Sequence, residues 1–200
     1  MTIFNKCHAV FVGFLAYVII ATVGYTINQG DYFQNEYLFI IINTFLISLS
    51  VAYAKWFDMI SLRRLTKKEV LLFIGIFLLC VLVNIGYHAF FSVSSGAGYQ
   101  HLEAASTGIS LSFIASATVF GPILEEFVFR GILQGAVFDN SWLGLVLTAS
   151  LFSLLHAPYD VPSFIYYLFG DLMLGFAYKK SQNLSVSILV HICYNCLSFF

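Results

Sequence analysis

Residues 120–131 read Phe-Gly-Pro-Ile-Leu-Glu-Glu-Phe-Val-Phe-Arg-Gly, with Glu125, Glu126 and Arg130 the only charges in an apolar run. An ionisable side chain at membrane depth costs roughly 2.5–3.5 kcal/mol even on the mildest scale, so such a residue is a functional candidate by default. The rest of the chain says that membrane depth is where this stretch belongs. The 200 residues are 60% hydrophobic and 10% charged, with mean hydropathy +0.89. A soluble domain of that size could not bury so much apolar surface, so the main solvent must be lipid. The fold class expected is an all-α, polytopic membrane helix bundle.

Working outward from residues 120–131, about seven spans can be read: His8–Ile27, Tyr37–Trp56, Val70–Phe91, Ser106–Gln134, Trp142–His156, Pro162–Tyr178 and Leu184–Phe200. Most approach the ~20 residues that cross a hydrocarbon core, while the fifth and sixth are short. Lys6 before the first run resembles the start of a signal peptide. That run is longer than a typical signal core and lacks a small-x-small cleavage site, so it is read as a span. The bases outside spans are Lys6, Arg63, Arg64, Lys67, Lys68, Lys179 and Lys180, and all fall on one side, the side on which the second span ends with Lys55. Loops 28–36, 92–105 and 157–161 contain no Lys or Arg. The positive-inside rule then places the N-terminus in the cytoplasm. Arg63, Arg64, Lys67 and Lys68 serve as a topology signal and could also meet anionic lipid. Residues 1–103 are expected to form N-terminal transmembrane helices and residues 104–200 a catalytic helical core.

Several classes are excluded. Net charge is −1 and the bases form no patch, so a nucleic-acid partner has no support. No repeat or low-complexity tract appears. Cys193-x-x-Cys196 is the only close pair among four cysteines. It reads as two small residues in a membrane helix rather than a redox or metal motif.

The polar residues inside the spans carry the chemistry. Glu126 and Arg130 are four apart, on one helix face, where they can pair. Glu125 points about 100° from Glu126 and about 140° from Arg130. Glu125 is thus the less compensated carboxylate, suited to act as a base or proton carrier. The Glu126–Arg130 pair is equally open to a structural reading. His156 ends Phe152-Ser-Leu-Leu-His156, and His191 and Asn195 lie one turn apart on the last span. Each alone has a plain reading: interfacial histidine, interhelical amide. By residue count Glu125 and His191 lie roughly 10–16 Å from the cytoplasmic end and His156 nearer 20 Å, so the fifth helix must tilt or start later to bring His156 level. Asp171, about 12 Å deep, could tune the site, pair with a histidine, or form a polar helix contact.

In order, Glu125-Glu126-x-x-x-Arg130, Phe152-x-x-x-His156 and His191-x-x-x-Asn195 resemble the CPBP family. This is the CAAX-protease and bacteriocin-processing (Abi) group of intramembrane proteases. Phe169-Gly170-Asp-Leu-Met-Leu-Gly175 resembles the glycine-bearing helix before its last motif, and the resemblance covers residues 104–200. It implies an endopeptidase that uses a glutamate-activated water. Glu125 would be the general base, working with His156. His191 and Asn195 would donate to the oxyanion, with Glu126 and Arg130 in support. Gly131 and Gly175 would allow close helix approach.

The cofactor expected is none, with zinc as the alternative on Glu125, His156 and His191. His-Glu-x-x-His is lacking, and Arg130 would oppose a cation unless Glu126 absorbs its charge. The partners expected are membrane lipid and a peptide or membrane-protein substrate, in a bacterial cell membrane. Rival classes are a scaffold, a bacteriocin-immunity protein that works by binding, and a small transporter. A transporter usually shows two related halves, and no internal repeat is visible. Peptide or bacteriocin maturation, self-immunity and CAAX-type processing all remain open as roles.

Overall fold

The structure is a computed structural model that describes residues 2–29, 36–91 and 111–197, with side chains for 2–18, 36–91 and 111–197. Among these residues there are seven helices and no strand. They are α1 (Ile3–Gln29), α2 (Glu36–Trp56), α3 (Lys67–Phe90), α4 (Leu111–Val137), α5 (Trp142–Leu155), α6 (Val161–Ser181) and α7 (Leu184–Leu197). Four of them, α2, α3, α4 and α6, are long and apolar enough to cross a membrane. The two at 14 residues, α5 and α7, reach only about 21 Å at 1.5 Å per residue. The expected loops 28–36 and 92–105 fall largely outside the described residues.

Local chemistry sets the helix ends. Thr66 caps α3, and Glu69 reaches back to the Thr66 backbone, closing a capping box. Ser141 accepts from Gly144 at the start of α5. Asp160 and Ser163 form a second capping box at α6, with a proline in the first turn. That helix is longer than the sixth span read from sequence. Lys179 and Lys180 belong to its last turn instead of a loop, because their ammonium groups lie 4.6 Å over the Trp142 ring and 5.5 Å over the Phe176 ring. Their stems stay on apolar surface while the charges reach the end of the bundle.

The long helix α4 is not uniform. Its Ser116–Phe120 and Phe127–Val137 segments are wound in the wider π register, around an α-helical Gly121–Glu126. Such widenings occur frequently at functional sites. The second one brings Phe127, Phe129, Arg130, Ile132, Gln134 and Ala136 into the interior together.

One core joins α1, α2 and α4 through Ala9, Ile47, Ala54, Phe127 and Ile132. The other joins α3, α6 and α7 through Ile76, Cys80, Leu174, Ala177, Val186 and Val190. Outward faces are apolar too: Phe45, Leu71, Leu82 and Leu143 are all exposed. That is the pattern of helices solvated by lipid. A Cβ on Gly175 would lie 3.0 Å from Gln134 Oε1 and 3.1 Å from Leu145, so this glycine does let α4, α5 and α6 approach closely. At Gly131 the close neighbour is Ile60, from the α2–α3 connection, at 2.7 Å. The bases gather at one end: Lys6 binds Val137 O and Asp139, Arg63 binds Ser181 O, and Lys179 binds Asn140 O.

Candidate functional site

Residues 126 and 130 of α4 lie one turn apart and face α6 and α7. Glu126 is fully buried. Its Oε1 lies 3.0 Å from His191 Nδ1 and 3.1 Å from Arg130 Nη1. The i,i+4 pair read from sequence is therefore present. Arg130 is just as buried, and its other nitrogen donates to Asp171 O at 2.9 Å and Asp171 Oδ1 at 3.2 Å. Asp171 Oδ2 accepts from Ser153 Oγ at 2.7 Å. One guanidinium thus stands between two carboxylates, and the network ties α4, α5, α6 and α7 together. Asp171 makes a helix contact through Arg130 and Ser153, and among the described residues no histidine hydrogen-bonds to it.

Glu125 is placed differently. Its side chain is 30% exposed, and its Oε2 stands 3.6 Å from His191 Nε2, beyond hydrogen-bonding distance. The two adjacent carboxylates therefore face the two nitrogens of one imidazole. If Nδ1 carries the hydrogen that binds Glu126, Nε2 in the neutral ring is bare and turned towards Glu125.

His156 follows the last turn of α5. Its Nδ1 lies 2.9 Å from Phe152 O, and its ring packs against Phe152 at 4.6 Å and Tyr167 at 4.8 Å. Phe152 is the hub here. Its ring stacks on Phe129 at 4.3 Å, carries Arg130 Cζ 4.8 Å above it, and meets the His191 ring at 6.2 Å. Helix α5 begins at Trp142, where the sequence put it, so a later start does not bring His156 level. The next residue, Ala157, has φ 48°, a left-handed conformation that costs a β-carbon residue energy and tends to occur at functional sites.

Asn195, one turn beyond His191, donates from Nδ2 to Ala117 O at 2.9 Å. The reason is Pro122. In the π register the carbonyl of residue 117 looks to the N–H of residue 122, and proline has none. The Asn195 amide satisfies the orphaned carbonyl and fixes α7 against α4.

The alternative zinc set fits less well. Among the described residues no three His, Cys, Asp or Glu side chains converge so as to hold a metal ion, and Glu125, His156 and His191 are not gathered as ligands. Nδ1 of each histidine is engaged, by Phe152 O and by Glu126, which leaves Nε2 as the nitrogen able to ligate or donate and does not itself count against a metal. Cys193 and Cys196 are free thiols.

The sequence reading missed the Arg130–Asp171–Ser153 link and the contacts of Phe152 and Tyr167. Only the buried acid at Asp171 signalled the link, since a carboxylate at that depth needs a cation.

Residues 107–197 match the family model described as type II CAAX prenyl endopeptidase Rce1-like. The chain is 27% identical over 125 residues to "Putative membrane peptidase YdiL" of Bacillus subtilis (strain 168), covering 62% of this chain and 50% of that protein. It is 26% identical over 183 residues to UPF0177 protein YbdJ of Lactococcus lactis subsp. lactis (strain IL1403), covering 85% and 77%. It is 30% identical over 89 residues to the membrane-embedded CAAX protease MroQ of Staphylococcus aureus (strain USA300), covering 42% and 36%. The match thus spans half the Bacillus protein's own length. No solved structure gives a significant match.

Proposed function

We propose that this integral protein of a bacterial membrane is an intramembrane endopeptidase of the CPBP family whose base is Glu125, a reading supported by the match of residues 107–197 to the Rce1-like model and by the similarity to membrane peptidases. The observation that carries the assignment is the division between adjacent carboxylates. Glu126 is buried and held by Arg130 and His191, while Glu125 makes no hydrogen bond among the described residues and is partly open.

In this reading Glu125 takes a proton from water, and the hydroxide attacks a peptide carbonyl. His156 orients the water or passes a proton to the leaving amine. His191 Nε2 and Asn195 Nδ2 donate to the oxyanion; one such donor is typically worth ~3 kcal/mol. With Nδ1–H donated to Glu126, His191 can donate from Nε2 only as the doubly protonated ring. Glu126, Arg130 and Asp171 hold His191 in place and do not touch the substrate. The substrate class is a peptide or membrane protein, processed in peptide or bacteriocin maturation, self-immunity or CAAX-type cleavage. The bundle end that carries Lys6, Arg63 and Lys179 faces the cytoplasm, and residues 104–200 form the catalytic core.

The deciding experiment compares membrane proteins and released peptides from cells carrying wild type and Glu125→Gln. Cleavage products should vanish in the variant while folded protein accumulates normally, because the amide is nearly isosteric and uncharged. Unchanged products would remove Glu125 as the base. Activity that is lost to a chelator and restored by zinc would replace the glutamate mechanism with a metal one. For orientation, single cysteines in Ser61–Lys68 should resist an impermeant reagent in intact cells. Labelling there would reverse the topology.

A further inference from the structure

Among the described residues His156 makes no salt bridge to the network around Arg130, although the Asp171 charge acts on it at longer range. Its orientation rests on two contacts. Nδ1 meets Phe152 O at 2.9 Å, one turn back on its own helix, and one ring face lies nearly parallel to Tyr167, at 4.8 Å and 20°. The first contact fixes which nitrogen carries hydrogen, but a single hydrogen bond still lets an imidazole swing about it. The second is a flat wall from another helix. Phe152 is tilted by 55° to the imidazole and cannot act as a parallel wall.

Tyr167 is itself well anchored. Its neighbour Tyr166 donates to Asn84 Oδ1 at 2.6 Å, stacks on Tyr87 at 4.4 Å and meets Tyr194 OH. Tyr194 OH also reaches Asn84 Oδ1, at 3.2 Å. A single amide on α3 therefore holds α6 and α7, the helices that carry Tyr167 and His191. Asn84 and Tyr87 lie outside residues 107–197, where the family match falls.

We propose that Tyr167 is a positioning residue for His156: its ring face, and not its hydroxyl, holds the imidazole in the orientation that the reaction uses. The proposal rests on the proteolytic reading above, in which His156 handles a proton. Misplacing a reacting group by about 1 Å can cost on the order of 10²-fold in rate, so freeing this ring is expected to lower turnover by roughly 10–100-fold.

The test uses the full chain purified in detergent, with Tyr167→Phe, which keeps the ring, and Tyr167→Leu, which removes it. Tyr167→Met replaces the leucine variant should that one fail to accumulate. The assay peptide carries a cleavage site found in the wild type versus Glu125→Gln comparison. Tyr167→Phe should keep wild-type kcat, while the ring-less variant loses kcat with KM little changed. A second readout needs no substrate: the hydrogen-bonded His156 N–H in a 15N-histidine spectrum, assigned by its loss in His156→Gln. It should persist in Tyr167→Phe and broaden or shift in the ring-less variant. A ring-less variant with wild-type kcat and an unchanged N–H signal overturns the proposal, as does an equal loss in both variants. Were Glu125→Gln to retain cleavage, the assignment of the base to Glu125 would fall, while the N–H signal would still decide whether Tyr167 holds His156.

Discussion

Two arginines in this chain bind carboxylates, in opposite surroundings. Arg63, at the end of the bundle, grips both oxygens of Glu69 at 3.0 and 2.7 Å, and its side chain is 47% exposed. Arg130 is 1% exposed and lies between Glu126 and Asp171, with Nη1 making no good hydrogen bond. The better geometry is on the arginine that matters less. Water would solvate Arg63 if its partner were lost, whereas nothing would replace the partners of Arg130. Burial, more than the quality of the contact, sets what each arginine is worth.

The largest expected effect breaks the buried site. Arg130→Ala strands two carboxylates and should cost about 3–5 kcal/mol, seen as loss of folded protein in membranes and of thermal stability in detergent. A loss as small as that of Arg63→Ala would mean that water reaches the network and the contrast is wrong. Next is Asn195→Ala, which should lower turnover roughly 10²–10³-fold with KM little changed if Asn195 is an oxyanion donor. A turnover loss no larger than the accompanying stability loss would leave only the contact with Ala117. At the bundle end, Thr66→Ala removes the α3 cap and should cost about 1 kcal/mol. Arg63→Ala should cost less than Arg130→Ala, because Thr66 still bonds the buried Glu69 carboxylate, and should change with salt, which Arg130→Ala should not.

The smallest effect is a pH dependence. Hydrogen bonds from the Ser163 backbone and hydroxyl hold the exposed Asp160 carboxyl below its ordinary value. The charged form is therefore favoured in the folded state. Its contribution is full above the ordinary aspartate range and fades as pH falls through the lowered value. Thermal melts of wild type and Asp160→Asn should differ near neutral pH and converge in acid. A gap that widens on acidification would reverse the sign.

How much of this could be read from sequence depends on the range of each contact. The Glu126–Arg130 pair was legible because four residues make one turn. The caps Ser141 and Asp160 went unread, whereas the helices were legible because lipid demands apolar runs. Asp171 as the second partner of Arg130 was not, since that pairing spans 41 residues and depends on how α4 and α6 are rotated. The π register of α4 was equally hidden. No residue type demands it, and only Pro122 hints that a carbonyl will be left over.

That leftover carbonyl bears on direction. A primary amide carries two hydrogens on its nitrogen, and Ala117 O already holds one of those on Asn195. The amide is planar, so fixing one N–H aims the other before any acceptor arrives. Whatever Asn195 serves must approach along that remaining line. A ring closure at residue 122, which removes a single backbone hydrogen, thereby sets a compass bearing on a different helix.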